Sequence, residues 1–346
     1  MAAALLLAAC GDDTTSVDAL QPHDGGARAD AASPVDASAA LFDLAIVNDL
    51  AQTAVPDTAQ SLTVDAAVDG AVTIPPGATW RSSLSVCWTD PTCKRALAVS
   101  HGGDWSALGN PYDSNAALAA AYANGSDGVK VDVRVTADNI PVIAHSSPIQ
   151  LYESIDCANK KIEEMTAAQV TACHRFPSTT ETFQRLDTVL SYLKGKLTAE
   201  LTVKLSTDYA RTIQEVLADG AADFAYLEIS VSDLQTLIPK ITGSDRVYYL
   251  INVASTPSDI DVLIPLKNPR AFMVEIDPTV TVGTLITGKL HPAGLRAFSY
   301  DSPSTVTESD LKGLYDAGYD VVSSNTTGNG VAARMMVNQA RGITPP

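Results

Sequence analysis

Short apolar, β-branched runs recur along the last three quarters of the chain, and stretches of helical character lie between most of them. Apolar residues at every second position predict strands, and apolar residues three to four positions apart predict helices. Strands are predicted over residues 96–100, 128–135, 141–145, 197–205, 225–230, 247–252, 271–276, 295–300 and 320–323. Helices are predicted over residues 114–124, 186–194, 208–219, 232–238, 257–263 and 308–317.

Nearly every predicted strand is followed by a predicted helix and by a turn that contains Gly, Asn or Pro. This alternation is typical of parallel sheets, in which a helix returns the chain to the start of the next strand. The number of units suits a closed barrel better than an open sheet. The sequence therefore predicts a (β/α)8 TIM barrel over residues 79–346.

The strand over residues 128–135 has two different faces. Its valines alternate with Lys130, Asp132 and Arg134, so the polar side chains share one face. An open parallel sheet needs apolar residues on both faces, whereas a barrel has an interior for the polar ones. The alternative is an antiparallel sheet with one solvated face, and the long helical connections speak against it.

Composition separates the N-terminal part of the chain from the barrel. Between residues 11 and 75 there are eleven aspartates, no glutamate and a single basic residue, Arg28. This leaves −10 of the formal charge of −17 in a segment with little to bury, so residues 11–78 are predicted to be a disordered tether. The acidic balance excludes a nucleic-acid surface, which needs a clustered basic face.

The first residues read MAAALLLAACGDD. The apolar run is too short to span a membrane and resembles the lipobox of bacterial lipoproteins, in which Cys10 is acylated. Residues 1–10 are therefore predicted to be a lipoprotein-type signal remnant, with Cys10 anchoring an exported protein of the bacterial cell envelope to the periplasmic or outer-membrane surface. The alternative is a chance cysteine in an alanine-rich leader.

Four further cysteines agree with export. Four cysteines allow three pairings, and the local pairs Cys87 with Cys93 and Cys157 with Cys173 close the shortest loops at the least entropic cost. Such disulfides belong to an oxidising compartment. A zinc site is disfavoured because Cys173 and His174 are adjacent and no CxxC spacing occurs.

Two histidines follow predicted strands, where a TIM barrel gathers its polar side chains. His101 follows the first strand, and His145 ends the third. Because imidazole titrates near neutral pH, one histidine could remove a proton from a nucleophile while the other protonates a leaving alkoxide. The pair predicts acid–base catalysis on a phosphodiester.

The stretch GSDGVKVDVRVTADNIPVIAHSS resembles the glycerophosphodiester phosphodiesterase family, of the phospholipase-C-like phosphodiesterase superfamily of TIM barrels. The family pattern runs roughly HRG, then ENT, then GADGIELDVRLTKDGVPVVIHD, and the interval from Arg134 to His145 equals the family's interval. The C-terminal stretches GLRAFSYDS and TESDLKGLYDAGYDVVSSN resemble the family's last two units. The resemblance covers residues 96–341 and implies a divergent member with His101 and His145 as the catalytic residues.

Several motif positions differ from the family. Gly102 replaces the arginine after the first histidine, and Ser146 replaces the aspartate after the second. The resemblance implies one divalent cation, Ca or Mg, but leaves Asp132 and, by proximity, Glu200 as its candidate ligands. One or two carboxylates are a poor cage for such an ion. Tyr112-Asp113-Ser114 stand where the family has ENT. Lys130 stands at the glutamate of the ELD within GADGIELDVRL, and Thr202 stands where the family has a later glutamate that binds the metal.

Two interpretations remain open for the chemistry. In the first, the chain hydrolyses glycerophosphodiesters or phospholipid head groups without a metal, and Lys130, Arg134 and Lys204 bind the phosphate instead. Bacterial phosphatidylinositol-specific phospholipases C of the superfamily, which carry an arginine at the metal's place, offer an analogy. In the second, the barrel is a catalytically inactive surface lipoprotein that binds a phosphate-bearing ligand or a partner.

Other classes are weaker. A purely structural envelope protein would not need two histidines at strand ends. A glycosidase would need paired carboxylates at strand ends, and only Glu228 and Glu275 are candidates. The expected partners are a small phosphodiester or lipid head group and, through the N-terminal lipid, a membrane; the protein is expected to be a monomer.

Overall fold

The computed structural model describes residues 79–105, 109–252, 257–266, 268–277, 283–302 and 305–343. The predicted signal remnant with Cys10 and the predicted tether over residues 11–78 lie outside the described residues. Within the described part of the chain, no helix is both long and apolar enough to cross a membrane.

Eight parallel strands close into a barrel in the order β1, β2, β4, β5, β6, β7, β8, β9 and back to β1, so the predicted TIM barrel is confirmed. A ninth strand, β3, stands outside this ring. The strands are β1 Leu97–His101, β2 Gly128–Val135, β3 Pro141–Ile143, β4 Thr198–Val203, β5 Ala225–Ser230, β6 Tyr248–Asn252, β7 Ala271–Ile276, β8 Arg296–Ser302 and β9 Val321–Ser324.

Helices connect the strands around the outside of the barrel. All six predicted helices are present, with ends that differ by a few residues. The last helix, α10, was not predicted. The helices are α1 Thr79–Ser82, α2 Asn115–Ala123, α3 Ala167–Thr171, α4 Leu186–Leu193, α5 Tyr209–Ala218, α6 Val231–Thr236, α7 Pro257–Leu266, α8 Gly283–Leu285, α9 Glu308–Asp316 and α10 Thr327–Ala340.

Strand β3 corrects one prediction. The run over residues 141–145 was expected to be a parallel barrel strand, but Pro141–Ile143 pair antiparallel with the end of β2. Beyond β3, the N–H of Ala144 donates to the carbonyl oxygen of Asp132 at 2.9 Å. His145 therefore does not end a barrel strand; a hairpin folds it back over the C-terminal end of β2.

The two faces of β2 separate as the alternation predicts. Val129, Val131 and Val133 are fully buried in the large core between the strands and the outer helices. The polar residues of β2 lie inside the barrel, where Lys130 meets carboxylates from three other strands. The interior is thus lined with charged groups toward the C-terminal end of β2.

The N-terminal end of the barrel is apolar and closed. Residues 80–88 cover it, and Trp88 packs against Tyr226 with ring centroids 6.0 Å apart. The disulfide Cys87–Cys93 ties this segment to the start of β1, as predicted from local pairing. Among the described residues, this apolar packing fills the N-terminal end of the barrel, and the polar side chains lie toward the opposite end.

A long insertion after β3, residues 144–184, has a small core of its own. The predicted disulfide Cys157–Cys173 lies within this core. Helix α3 begins at a capping box in which Thr166 and Gln169 bond each other's backbone N–H groups, which fixes the local chain direction. The insertion brings Tyr152 and Glu153 next to His145.

Candidate active site

His101, the last residue of β1, is held on both ring nitrogens. Its Nδ1 lies 2.8 Å from Oδ1 of Asn325, and its Nε2 lies 2.8 Å from the hydroxyl of Tyr112. The indole N–H of Trp105 donates to the His101 carbonyl at 2.9 Å. Because an amide oxygen only accepts, Asn325 places a proton on Nδ1 and makes Nε2 the nitrogen that exchanges protons.

Gly102 and Tyr112 depend on each other. Gly102 has φ +66°, and a Cβ built there would lie 2.1 Å from the Tyr112 ring. A side chain at position 102 would therefore displace Tyr112 as well as strain the backbone. The replacement of the family's arginine by Gly102 makes room for the phenol that contacts His101.

Asp132 lies inside the end of β2 and contacts two groups. Its Oδ2 accepts from the Tyr112 hydroxyl at 3.0 Å, and its Oδ1 lies 2.8 Å from Nζ of Lys204. Burial raises the pKa of Asp132, but the ammonium of Lys204, with the two site histidines, outweighs burial and holds the pKa below its usual range. Asp132 is therefore a carboxylate at neutral pH.

His145 faces His101 across Tyr112, whose ring is edge-on to both imidazoles. The Nδ1 of His145 lies 2.9 Å from the Ser146 hydroxyl and 3.1 Å from that of Tyr152. Burial, and next the positive charge of Lys204, lower the pKa of His145 to about 3. His145 is therefore a neutral imidazole, the form that accepts a proton.

Two of the three predicted phosphate-binding residues lie beside the histidines. Lys204 pairs with Asp132, and Nε of Arg134 donates to the carbonyl oxygen of His145 at 2.9 Å. Both side chains are close enough to His145 that their charges depress its pKa. These two cations flank the His145 imidazole.

Lys130, the third predicted phosphate-binding residue, is placed elsewhere. Its Nζ lies 3.4 Å from Glu200, 3.3 Å from Glu228 and 3.8 Å from Glu275, one layer deeper in the barrel than Asp132. Lys130 is only 5% exposed. The structure therefore does not bring Lys130 together with Arg134 and Lys204; the barrel carboxylates balance its charge.

The residues at the family's metal position do not fit a divalent cation. Asp132 already contacts an ammonium and a phenol, and Glu200 lies opposite Lys130 in the strand register, not beside Asp132. In the part of the chain that the structure describes, no three His, Cys, Asp or Glu side chains are grouped as a metal site. The predicted ligands Asp132 and Glu200 thus belong to separate ion-paired groups.

Two positioning residues escaped the sequence analysis. The buried carboxylate of Glu153 accepts from the backbone N–H groups of His145 and Ser146 at 3.0 and 3.1 Å. The buried guanidinium of Arg175 donates to the carbonyl oxygens of Tyr112 and Ile143, at 2.9 and 2.6 Å. Both residues act through backbone groups, and such contacts leave no sequence motif. The only sign of these residues in the sequence is that charged residues occur in the segment after His145, which must cover the mouth of the barrel.

Comparisons with known proteins concern the family and the fold. The model of the glycerophosphoryl diester phosphodiesterase family matches residues 109–249, which include Tyr112, Asp132, His145 and Lys204. A comparison with curated proteins gave no match. The resemblance that the motifs indicate is confirmed.

Solved structures share the barrel. A glycerophosphodiester phosphodiesterase from Agrobacterium tumefaciens str. C58 is 18% identical, with a TM-score of 0.56 over 68% of this chain and 99% of that one. A glycerophosphoryl diester phosphodiesterase from Parabacteroides distasonis is 14% identical, with a TM-score of 0.61 over 75% and 93%. An Oleispira antarctica phosphodiesterase, solved with the product sn-glycerol-3-phosphate, is 19% identical, with a TM-score of 0.55 over 68% and 96%. At these identities the likeness concerns the fold.

Proposed function

Because the model of the glycerophosphoryl diester phosphodiesterase family matches residues 109–249, we propose that the chain is a divergent member of this family and that its barrel hydrolyses phosphodiesters to a phosphomonoester and an alcohol. The observation that carries the proposal is the pair of histidines on either side of Tyr112, with two cations beside them. Glycerophosphodiesters, or the phosphodiester of a lipid head group, are the proposed substrates. The product of the Oleispira antarctica relative, sn-glycerol-3-phosphate, supports this class.

The two histidines have different roles in this proposal. His145 accepts the proton of the attacking water because it is neutral and its Nδ1 is held by hydroxyl groups. His101 supplies the proton for the leaving alcohol, since its Nε2 is the exchangeable nitrogen and Asp132 lies one hydroxyl away. Such proton transfers contribute about 10²–10⁴-fold each to a rate.

Fixed cations take the place of a metal ion in the proposal. Negative charge on the phosphoryl oxygens must be balanced in the transition state, and an ammonium or guanidinium can do so. Lys204 and Arg134 provide these charges beside His145. At 4 Å and an effective dielectric of 20, one such charge pair contributes about 4 kcal/mol. Asp132 competes with the phosphate for the charge of Lys204, which reduces this contribution.

The test is an assay of the full chain on bis(p-nitrophenyl) phosphate and on glycerophosphodiesters, with and without chelator. We expect turnover that chelator does not change. His145→Ala should lose turnover on both substrates, whereas His101→Ala should lose it on glycerophosphodiesters, whose alcohol must be protonated to leave. Loss of turnover with chelator would contradict the role of fixed cations. Binding of sn-glycerol-3-phosphate without any turnover would favour the alternative, an inactive phosphate-binding lipoprotein.

We further propose that the protein is exported and lipid-anchored through Cys10. Two disulfides support an oxidising compartment. Expressed in a bacterium behind a complete lipoprotein signal peptide, the chain should incorporate labelled palmitate and sediment with membranes, and Cys10→Ser should do neither. Equal labelling of both proteins would refute the anchor.

A further inference from the structure

The hydroxyl of Tyr112 stands between His101 and the rest of the site. It lies 2.8 Å from His101 Nε2 and 3.0 Å from Asp132 Oδ2. The other nitrogen of His101 faces Asn325. A proton that leaves the exchangeable nitrogen of His101 therefore meets the phenol oxygen first.

A count of protons shows which direction this hydrogen-bond chain favours. The phenol carries one proton and faces two acceptors when His101 is neutral. When His101 is protonated, Nε2–H donates to the phenol oxygen and the phenol O–H donates to Asp132, so each contact has one donor and one acceptor. In that arrangement the contacts run in one direction, so a proton on Nε2 can pass to the phenol oxygen along an existing hydrogen bond.

The position of the phenol is fixed from several sides. Its ring packs edge-on against His101 at 5.3 Å, Trp105 at 5.6 Å and His145 at 6.1 Å between centroids. Arg175 holds its backbone carbonyl oxygen. The hydroxyl is thus rigidly held beside His101 and Asp132, where it can meet the leaving oxygen of a bound phosphodiester.

We propose that Tyr112 is a catalytic residue that passes the proton of His101 to the leaving alcohol oxygen. This inference deepens the proposed phosphodiesterase function and rests on it. As the bond from phosphorus to the leaving oxygen breaks, the phenol O–H turns from Asp132 to that oxygen and gives it the proton, and the phenol oxygen takes the proton from Nε2. Water forms the new bond to phosphorus and gives its proton to His145. His101 ends neutral and His145 protonated, and solvent restores both.

The test uses two substrates that differ in their need for an acid. The p-nitrophenolate of bis(p-nitrophenyl) phosphate leaves without protonation, whereas the alcohol of glycerophosphoethanolamine does not. In the full chain, Tyr112→Phe keeps the ring contacts and removes only the hydroxyl. We expect its kcat on glycerophosphoethanolamine to fall by about 10²–10⁴-fold, and its kcat on the nitrophenyl ester to change less than about tenfold. Tyr122→Phe, on α2 and away from the site, is the matched control and should leave both unchanged.

The outcomes separate the two proposals. If the wild-type chain cleaves both substrates and Tyr112→Phe loses the same factor on each, the phenol only shapes the site and the relay is overturned. Full activity of Tyr112→Phe on glycerophosphoethanolamine overturns it as well. If the wild-type chain cleaves neither substrate, the phosphodiesterase function fails, and the relay fails with it.

Discussion

Lys204 and Asp132 form a pair in which each residue sets the state of the other. The ammonium lies 2.8 Å from the carboxylate, and both side chains are largely buried. Removing one partner leaves the other as a buried, unbalanced charge, whereas removing both does not. The pair therefore offers a way to separate the proposed catalytic role of Lys204 from its structural one.

Replacement of Lys204 should lower both activity and stability. We expect Lys204→Met to reduce kcat/KM by about 10²–10³-fold, the usual loss for one donor to a developing oxyanion. The orphaned Asp132 should cost about 3–5 kcal/mol in the free energy of unfolding, measured by urea denaturation.

The double variant Lys204→Met/Asp132→Asn should regain most of the stability but none of the activity. Lys240→Met, at an exposed position far from the pair, is the control. Recovery of kcat/KM in the double variant would contradict a role for the Lys204 charge in binding phosphate.

His145 makes the stability of the fold depend on pH in a predictable direction. The pKa of its imidazole is lowered from 6.5 to about 3, first by burial. Between these values the unfolded chain binds a proton that the folded chain does not, so the free energy of unfolding falls as pH falls from 6.5 toward 3. The slope from this one group is up to about 1.4 kcal/mol per pH unit.

The contribution of His145 can be isolated with His145→Gln. The stability of the wild-type chain minus that of the variant should decrease from pH 7 to pH 4 in urea denaturation. If this stability difference does not change with pH, the pKa of His145 in the folded chain is the same as in the unfolded chain. That outcome would also remove the argument for the role of His145 as the base.

At the level of single residues, the sequence predicted His101, His145, Arg134 and Lys204 at the site because strand ends converge in a barrel. Tyr112 entered the sequence analysis only as part of the segment at the family's ENT position. Its contact with His101, eleven positions earlier in the chain, depends on the space left by Gly102. Periodicity carries no information about such a contact.

Among the elements, the β2–β3 hairpin and the insertion after it carry His145 into the site. Glu153 holds the loop at His145, because its carboxylate accepts from the backbone N–H groups of His145 and Ser146. It also accepts from the N–H of Gln150 at 3.2 Å. A run of three apolar residues does not distinguish a parallel strand from a hairpin strand, so the sequence misassigned β3. The strands that alternate over more residues were assigned correctly.

Loss of the Glu153 carboxylate should loosen this loop. Glu153→Ala leaves three backbone donors without their acceptor, which should lower the free energy of unfolding by about 1–3 kcal/mol. The amides of His145, Ser146 and Gln150 should exchange faster with deuterium, and kcat should fall because the base is no longer fixed.

Glu164→Ala is the matched control on the same insertion, because Glu164 is exposed and pairs only with Lys161 across one helical turn. Glu153→Gln, which keeps one acceptor oxygen, should lie between wild type and Glu153→Ala. Unchanged amide exchange in Glu153→Ala would show that the loop holds its shape without this carboxylate.

Across the whole molecule, the barrel interior changes from apolar to ionic along its axis. The closed N-terminal end is packed around Trp88 and Tyr226. Closer to the C-terminal end, Lys130 of β2 and three glutamates, from β4, β5 and β7, form one buried ionic group. The layer that contains His101 and His145 lies beyond this group. Alternation predicted that polar residues fill the barrel, but the layer in which each lies depends on strand register, which the sequence does not encode locally.

Lys130 is therefore expected to act on the stability of the barrel and not on the phosphate. Burial raises the pKa of Glu228, but the charge of Lys130, together with hydrogen bonds from Thr202 and Asn252 and the charge of Lys204, keeps that pKa below its usual value. Lys130→Met removes the cation that balances three carboxylates, so the free energy of unfolding should fall by about 3–5 kcal/mol. The remaining folded protein should keep its KM for glycerophosphodiesters, because Lys204 and Arg134 are untouched. A large rise in KM with stability unchanged in urea denaturation would instead assign Lys130 to the phosphate, as the motif position alone had suggested.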